Sequence, residues 1–163
     1  PTRSSSARKS RNTSNAPTSA SGRAAISSRH APRSATAANG ADLEASYAFA
    51  DARDAATSAR LTNSPRHLFK TRIYAPLAGD RLAAGVEFQY TSRRKTVAGA
   101  YAAGHGLTNV VFTGRNVLRG LDVTAGAFNV FGIAYGDPVS VEYVQDQIPQ
   151  RGRNYRLRLV ARF

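Results

Sequence analysis

Asn154-Tyr155-Arg156-Leu157-Arg158-Leu159-Val160-Ala161-Arg162-Phe163 is the stretch on which the fold turns. Tyr155, Leu157, Leu159, Ala161 and Phe163 recur at every second position, and Arg156, Arg158 and Arg162 fall between them. Successive side chains of an extended strand point to opposite faces, so this spacing puts the apolar set on one face and the arginines on the other. One face suits hydrocarbon and the other suits water. At about 3.3 Å per residue and a tilt near 45°, ten such residues cover roughly 23 Å of depth, close to the apolar band of a transmembrane barrel. The stretch predicts a membrane-spanning strand, and with it an all-β fold built as an antiparallel transmembrane β-barrel.

The same alternation runs backward through the chain. Leu43, Ala45, Tyr47 and Phe49 oppose Asp42, Glu44 and Ser46; Phe69, Thr71, Ile73, Ala75 and Leu77 oppose Lys70 and Arg72. Leu82, Ala84, Val86, Phe88 and Tyr90 oppose Arg81, Glu87 and Gln89, while Thr108, Val110 and Phe112 oppose Asn109, Thr113 and Arg115. Leu121, Val123, Ala125 and Ala127 oppose Asp122 and Thr124. With the closing stretch this predicts six strands and no helix. Tyr47, Phe49, Tyr74, Phe88, Tyr90, Phe128, Tyr135 and Tyr155 are the candidates for aromatic girdles at the two membrane interfaces.

Link lengths carry independent information. Short links fall at Ala78-Gly79-Asp80 and Leu118-Arg119-Gly120, whereas long ones span residues 51–66, 91–106 and 136–153. Transmembrane barrels have short turns on the periplasmic side and long loops outside, so a strict short and long rhythm is expected of them. A soluble sandwich alternates along its strands too, but its loops need not alternate in step.

The 163 residues carry a net charge of +13, and seven basic residues (Arg3, Arg8, Lys9, Arg11, Arg23, Arg29, Arg33) with no acid lie among the first 39. That leader is almost entirely Ser, Ala, Thr, Arg, Asn and Pro, with Ile26 its one large aliphatic residue. Burial of so little apolar surface does not offset a backbone ordering cost of about 1 to 2 kcal/mol per residue, so residues 1–39 are expected to be a disordered basic leader. Such a composition is that of a solvated tail, and also that of a GC-rich gene translated out of frame. No aromatic residue is interleaved for stacking on bases, and charge alone gives weak, salt-sensitive binding, so no nucleic-acid partner is expected.

Several chemistries lack their residues. The chain has no cysteine, and His30, His67 and His105 are not spaced as metal ligands. Glu44, Glu87 and Asp122 fall on different strands with no histidine beside them, so no acid and base pair suggests an enzyme. No cofactor is expected. No apolar run is long enough for a membrane helix, which leaves a barrel open, since each barrel strand is short and only half apolar. The loop cations Arg93, Arg94 and Lys95, near Tyr101 and His105, are placed to attract an anionic ligand, although such clusters are ordinarily solvated surface.

Two further segments have a family likeness. Asn129-Val130-Phe131-Gly132-Ile133-Ala134-Tyr135-Gly136-Asp137-Pro138 resembles the Asn-Leu-Phe-Asp-x-x-Tyr-x-x-Pro signature near the C-terminus of TonB-dependent outer-membrane receptors. Gln150, Gly152 and Arg153 resemble the Gln-x-Gly-Arg lead into that family's last strand, and Ser64, Pro65 and His67 resemble its Ser-Pro-x-His element. Val130 and Gly132 depart from the usual Leu and Asp. The likeness covers residues 40–163 and implies the last six strands of a barrel of about 22.

The resemblance implies a bacterial outer-membrane location and a part in the uptake of a scarce nutrient such as an iron-siderophore complex or cobalamin. It implies as partners the outer-membrane lipid, the barrel-assembly machinery, and the remainder of the receptor including its plug, with TonB engaged only through an N-terminal part not found in these residues. Tyr155, Leu157, Leu159, Ala161 and Phe163 would be the assembly signal, and Arg156, Arg158 and Arg162 would line the lumen. Six strands do not close a barrel, so transport by this segment alone is not expected. The competing readings are a small structural or adhesion barrel of the outer membrane and a basic soluble nucleic-acid-binding protein.

Overall fold

The computed structural model describes residues 24–162 and consists of strands joined by turns and loops. Seven strands form one antiparallel sheet in the order β1 (Ala24–Thr36), β2 (Asp42–Asp54), β3 (His67–Ala78), β4 (Leu82–Thr91), β7 (His105–Leu118), β8 (Leu121–Phe128) and β11 (Asn154–Ala161). Two small hairpins stand apart from it: β5 (Arg94–Lys95) with β6 (Tyr101–Ala102), and β9 (Gly136–Pro138) with β10 (Gln147–Pro149). The sheet is open, with β1 and β11 at its edges. Its turns gather at one end and its long loops, which carry the hairpins, at the other.

Register turns the alternation of each strand into two continuous surfaces. Leu43 lies opposite Ile73, Ile73 opposite Val86, Val86 opposite Val110, Val110 opposite Ala127, and Ala127 opposite Tyr155, one apolar row across six strands. One residue along, Glu44, Arg72, Glu87 and Asn109 make a polar row on the other face. Arg72 donates to Glu44 at 2.8 Å and the Asn109 amide donates to Glu87 at 3.3 Å. These pairs are solvent-exposed and each contributes about 1 kcal/mol at most, so they order the polar face more than they hold the sheet. The polar face carries a hollow of about 560 Å³ lined by Glu44, Ser46, Lys70, Arg72 and Glu87 among others.

The apolar face has no protein cover. Among the described residues only Ala52, Ala83 and Ala102 are buried apolar side chains, while Tyr155 is 72% exposed and Leu157 67%. Burying apolar surface is worth about 25 cal/mol per Å², and the described chain leaves that gain unrealised over its whole outer face. Backbone ladders hold the sheet together.

The structure departs from the sequence reading in three places. Ala24–Thr36, within the leader expected to be disordered, pairs with β2 along its full length, so the main sheet has seven strands where six were expected. The physical reason is backbone: β2 offers a row of unpaired N–H and C=O groups, and Asn39-Gly40, with Gly40 at φ 80°, supplies the tight turn that folds the chain back. The part of the leader before Ala24 lies outside the described residues, as does Phe163. Second, β1 does not share the two-faced pattern, because its register sets Arg33 opposite Ala45 and Arg29 opposite Phe49, both on the apolar face. Third, Tyr74 pairs with Asp42 and Phe128 with Asn154, which puts both girdle candidates on the polar face.

Candidate functional site

The closing strand behaves as its spacing requires. Tyr155, Leu157, Leu159 and Ala161 stand opposite Ala127, Ala125, Val123 and Leu121, and form an exposed comb at the open edge of the sheet. Arg156 and Arg158 point to the polar side, where the Arg156 guanidinium lies 4.9 Å from the centroid of the Phe128 ring. The chain end is pinned beyond the strand. The Arg162 N–H donates to the Gly120 carbonyl at 2.7 Å, and its guanidinium pairs with Asp122 at 2.7 Å.

Gly120 makes that approach possible. It sits at φ 76° in the β7–β8 turn, and a Cβ there would stand 2.5 Å from the Arg162 carbonyl oxygen. The turn is further fixed by Asn116, whose N–H donates to Asp122 and whose side-chain oxygen accepts from the Gly120 N–H. Gly120→Ala therefore meets both a left-handed backbone and a backbone clash, and is expected to destabilise the folded chain by about 2 kcal/mol. A shift of the urea midpoint in vesicles reads this; an unchanged midpoint would show that the chain end is not held as described.

Aromatic side chains collect on the apolar face at the long-loop end. Tyr47 shares a 2.7 Å hydrogen bond with Nδ1 of His67, Phe49 packs on the same imidazole, and Phe69 lies against Phe88 beside Tyr90. Rings with one polar end suit a boundary between hydrocarbon and water. Tyr47, Phe49, Phe88, Tyr90 and Tyr155 share the apolar face at this end of the sheet.

Above this band the long loops are tied together, and the signature residues do the tying. Asn129, 5% exposed and at φ 49°, accepts from the Ile133 N–H at 2.9 Å and donates to the Ile133 carbonyl at 2.8 Å. Its own N–H donates to the Asn109 side chain at 3.0 Å, joining the loop to β7. Tyr135 stacks on His105 with ring centroids 4.2 Å apart. Burial pushes the Tyr135 phenol above its ordinary value, the negative Asp137 adds to this, and Arg94 partly offsets it. Arg94 bonds Asp137 in one loop and Asn63 in another.

Arg94 is thereby a bracing residue between loops, and Arg93 lies over the Tyr101 ring at 5.0 Å. The suggested cation cluster is divided between these contacts. Arg94 Nε, Thr96 Oγ1 and His105 Nδ1 are buried without a hydrogen-bond partner among the described residues. Sequence reasoning noticed Asn129 and Tyr135 as letters of a signature, with Asp137 at one of its variable positions, and missed what they touch. Their partners Asn109, His105 and Arg94 belong to distant segments.

The chain matches the copper transporter OprC with a TM-score of 0.68 over 86% of its length, at 16% identity. It matches the ferric-catecholate import receptor Fiu from E. coli K12 with a TM-score of 0.70 over 85%, also at 16% identity. FpvA of P. aeruginosa, bound to heterologous pyoverdines, gives 0.68 over 83% at 16% identity. The fold is that of part of the barrel wall of these proteins. The chain spans 24% of OprC, 21% of Fiu and 19% of FpvA, about a fifth to a quarter of each. No family model matches the sequence, and no curated protein does either. The exposed apolar row lies on one face of that sheet, the polar row on the other, and the tied loops at one end.

Proposed function

We propose that residues 40–163 are the closing, C-terminal wall of a TonB-dependent receptor in the bacterial outer membrane, a receptor for active uptake of a scarce nutrient. The observation that carries this reading is the uncovered apolar row from Leu43 to Tyr155, backed on the other face by the polar row of Glu44, Arg72, Glu87 and Asn109. A soluble protein of this size hides such a surface, whereas a barrel wall gives it to lipid. Tyr155, Leu157, Leu159, Ala161 and Phe163 serve as the signal read by the barrel-assembly machinery. Arg156 and Arg158 line the lumen side of the wall, Arg156 over the Phe128 ring. An open sheet encloses no lumen, so this segment acts as part of that larger barrel, with TonB engaged elsewhere in it.

The basic leader stands outside this reading. Arg29 and Arg33, placed on the apolar face by the register of β1, would each cost about 2 to 4 kcal/mol at the lipid midplane. That mismatch supports a leader that is foreign to the barrel, as translation out of frame would produce.

Refolded from urea with vesicles of phosphatidylethanolamine and phosphatidylglycerol, the full chain is expected to float with the lipid. Without vesicles or detergent it is expected to precipitate, since both sheet edges and the apolar face are open. A soluble monomer with a cooperative melt and no affinity for vesicles would overturn the proposal.

A further inference from the structure

Three arginines gather on one carboxylate just beyond the aromatic band. Asp51 follows Tyr47 and Phe49 at the same two-residue spacing along β2, so it lies on the apolar face, at the long-loop end of the strand. The Arg53 Nε–H donates to Asp51 at 3.0 Å, and the Arg60 and Arg66 guanidinium groups stand 3.5 and 3.3 Å from the same carboxylate. The backbone brings them together. After β2 the chain turns at Asp54, whose side chain accepts from the Ala56 and Thr57 N–H groups, and it returns with Arg60 bridged to Arg53, so both side chains share the face of Asp51. Arg66 reaches in from the residue before β3, where its carbonyl accepts from the Ala50 N–H.

The cluster has more charge than it balances. One carboxylate offsets one of three guanidinium groups, and the other nearby acid, Asp54, is engaged in its own turn with Thr57. Two positive charges remain. Donors remain as well: a guanidinium has five N–H groups, and besides Asp51 the one acceptor these three meet among the described residues is the Ser58 carbonyl, 3.2 Å from Arg53. All three side chains are within reach of a ligand, from 21% exposed at Arg60 to 46% at Arg53.

Position narrows the ligand. What a barrel transports passes through its interior, whereas Asp51, Arg53 and Arg60 lie on the opposite face, next to Tyr47, Phe49 and His67, where the headgroups of a membrane begin. We infer that Arg53, Arg60 and Arg66 form a binding site for the phosphate monoester of a lipid headgroup, in the leaflet at the long-loop end. A phosphate monoester carries up to about two negative charges, which matches the charge left over, and its oxygens accept in pairs from planar guanidinium forks. Asp51 holds the forks in place before the lipid arrives. The inference rests on the membrane-wall reading and adds a particular lipid to it.

The chain has no tryptophan, so one introduced by substitution reports the lipid beside it. Phe49→Trp places it next to the cluster, and Leu157→Trp places it on the same face of the distant edge strand. In the full chain inserted in phosphatidylcholine vesicles, phosphatidic acid with brominated acyl chains is expected to quench the Phe49→Trp chain at about a tenfold lower mole fraction than brominated phosphatidylcholine does. The Leu157→Trp chain is expected to respond equally to both. Brominated phosphatidylglycerol, a diester, is expected to fall between them at Phe49→Trp. Arg60→Gln with Arg66→Gln is expected to abolish the preference; Arg60→Lys with Arg66→Lys, which keeps the charge beside Asp51, is expected to lower it at least about threefold through loss of the forks. Arg29→Gln, opposite Phe49 on β1, is expected to leave it unchanged. A preference equal at both tryptophans, undiminished in either double variant, or lost with Arg29 would overturn the site while leaving the wall. Phosphatidylglycerol as effective as phosphatidic acid would overturn the monoester, and a preference erased by excess inorganic phosphate would overturn the lipid in favour of free phosphate. A Leu157→Trp chain that brominated phosphatidylcholine does not quench would overturn the wall and the inference with it.

Discussion

Leu157→Arg is expected to destabilise the vesicle-inserted chain by about 2 to 4 kcal/mol, the cost of an arginine at the lipid midplane of a barrel. Leu157 lies midway along β11, opposite Ala125, on the face shared with Phe112 and Leu159, and is 67% exposed in the protein alone. Exposure makes the prediction sharp. In water, a change of an exposed leucine to arginine costs about 0.5 kcal/mol or less, so a large effect requires hydrocarbon on that face. Val160→Arg is the matched control: Val160 is on the same strand but opposite Asp122 on the polar face, and its replacement is expected to stay within about 0.5 kcal/mol. Urea titrations of the two variants in vesicles, followed by tyrosine fluorescence, measure the difference. Equal effects would mean that the two faces see the same medium, and the assignment of an outer face would fall.

That the wall was legible from sequence follows from the physics of a two-sided strand. A period of two is forced by the pleat, and apolar and polar residues contrast at alternate steps, so β2, β3, β4, β7, β8 and β11 announce themselves locally. The errors were local as well. Tyr74 and Phe128 have the parity of their polar neighbours, and it was their aromatic character, not their position, that suggested an interface role. Strand β1 was illegible for a different reason: backbone pairing needs no side-chain pattern, and the informative residues were Asn39 and Gly40 in the turn. The loop cluster was half legible. A signature can be read along the chain, but Asn109 precedes Asn129 by 20 residues and Arg94 precedes Asp137 by 43, distances that local periodicity does not bridge.

Asn129→Ala carries the second large effect, about 3 kcal/mol, confined to the loop that it closes. Three physical terms add. Alanine loses the paired bonds to the Ile133 N–H and carbonyl, each worth about 1 kcal/mol, and leaves those groups without their partner at a site that is 5% exposed. It also inherits a backbone at φ 49°, which asparagine tolerates and alanine resists by about 1 kcal/mol. Asn129→Gly separates the terms, since it keeps the backbone at ease and loses only the bonds, and is expected to cost about 2 kcal/mol. The β7–β8 ladder lies outside this loop, so the opening is local, and Arg151 and Arg153 at its far end become trypsin sites. Cleavage there in vesicle-inserted chain is expected to quicken on the order of a hundredfold for alanine and less for glycine. Wild-type cleavage rates in both variants would show that the loop is held by something other than Asn129. A rate raised in alanine alone would assign the signature asparagine to backbone conformation and not to its hydrogen bonds.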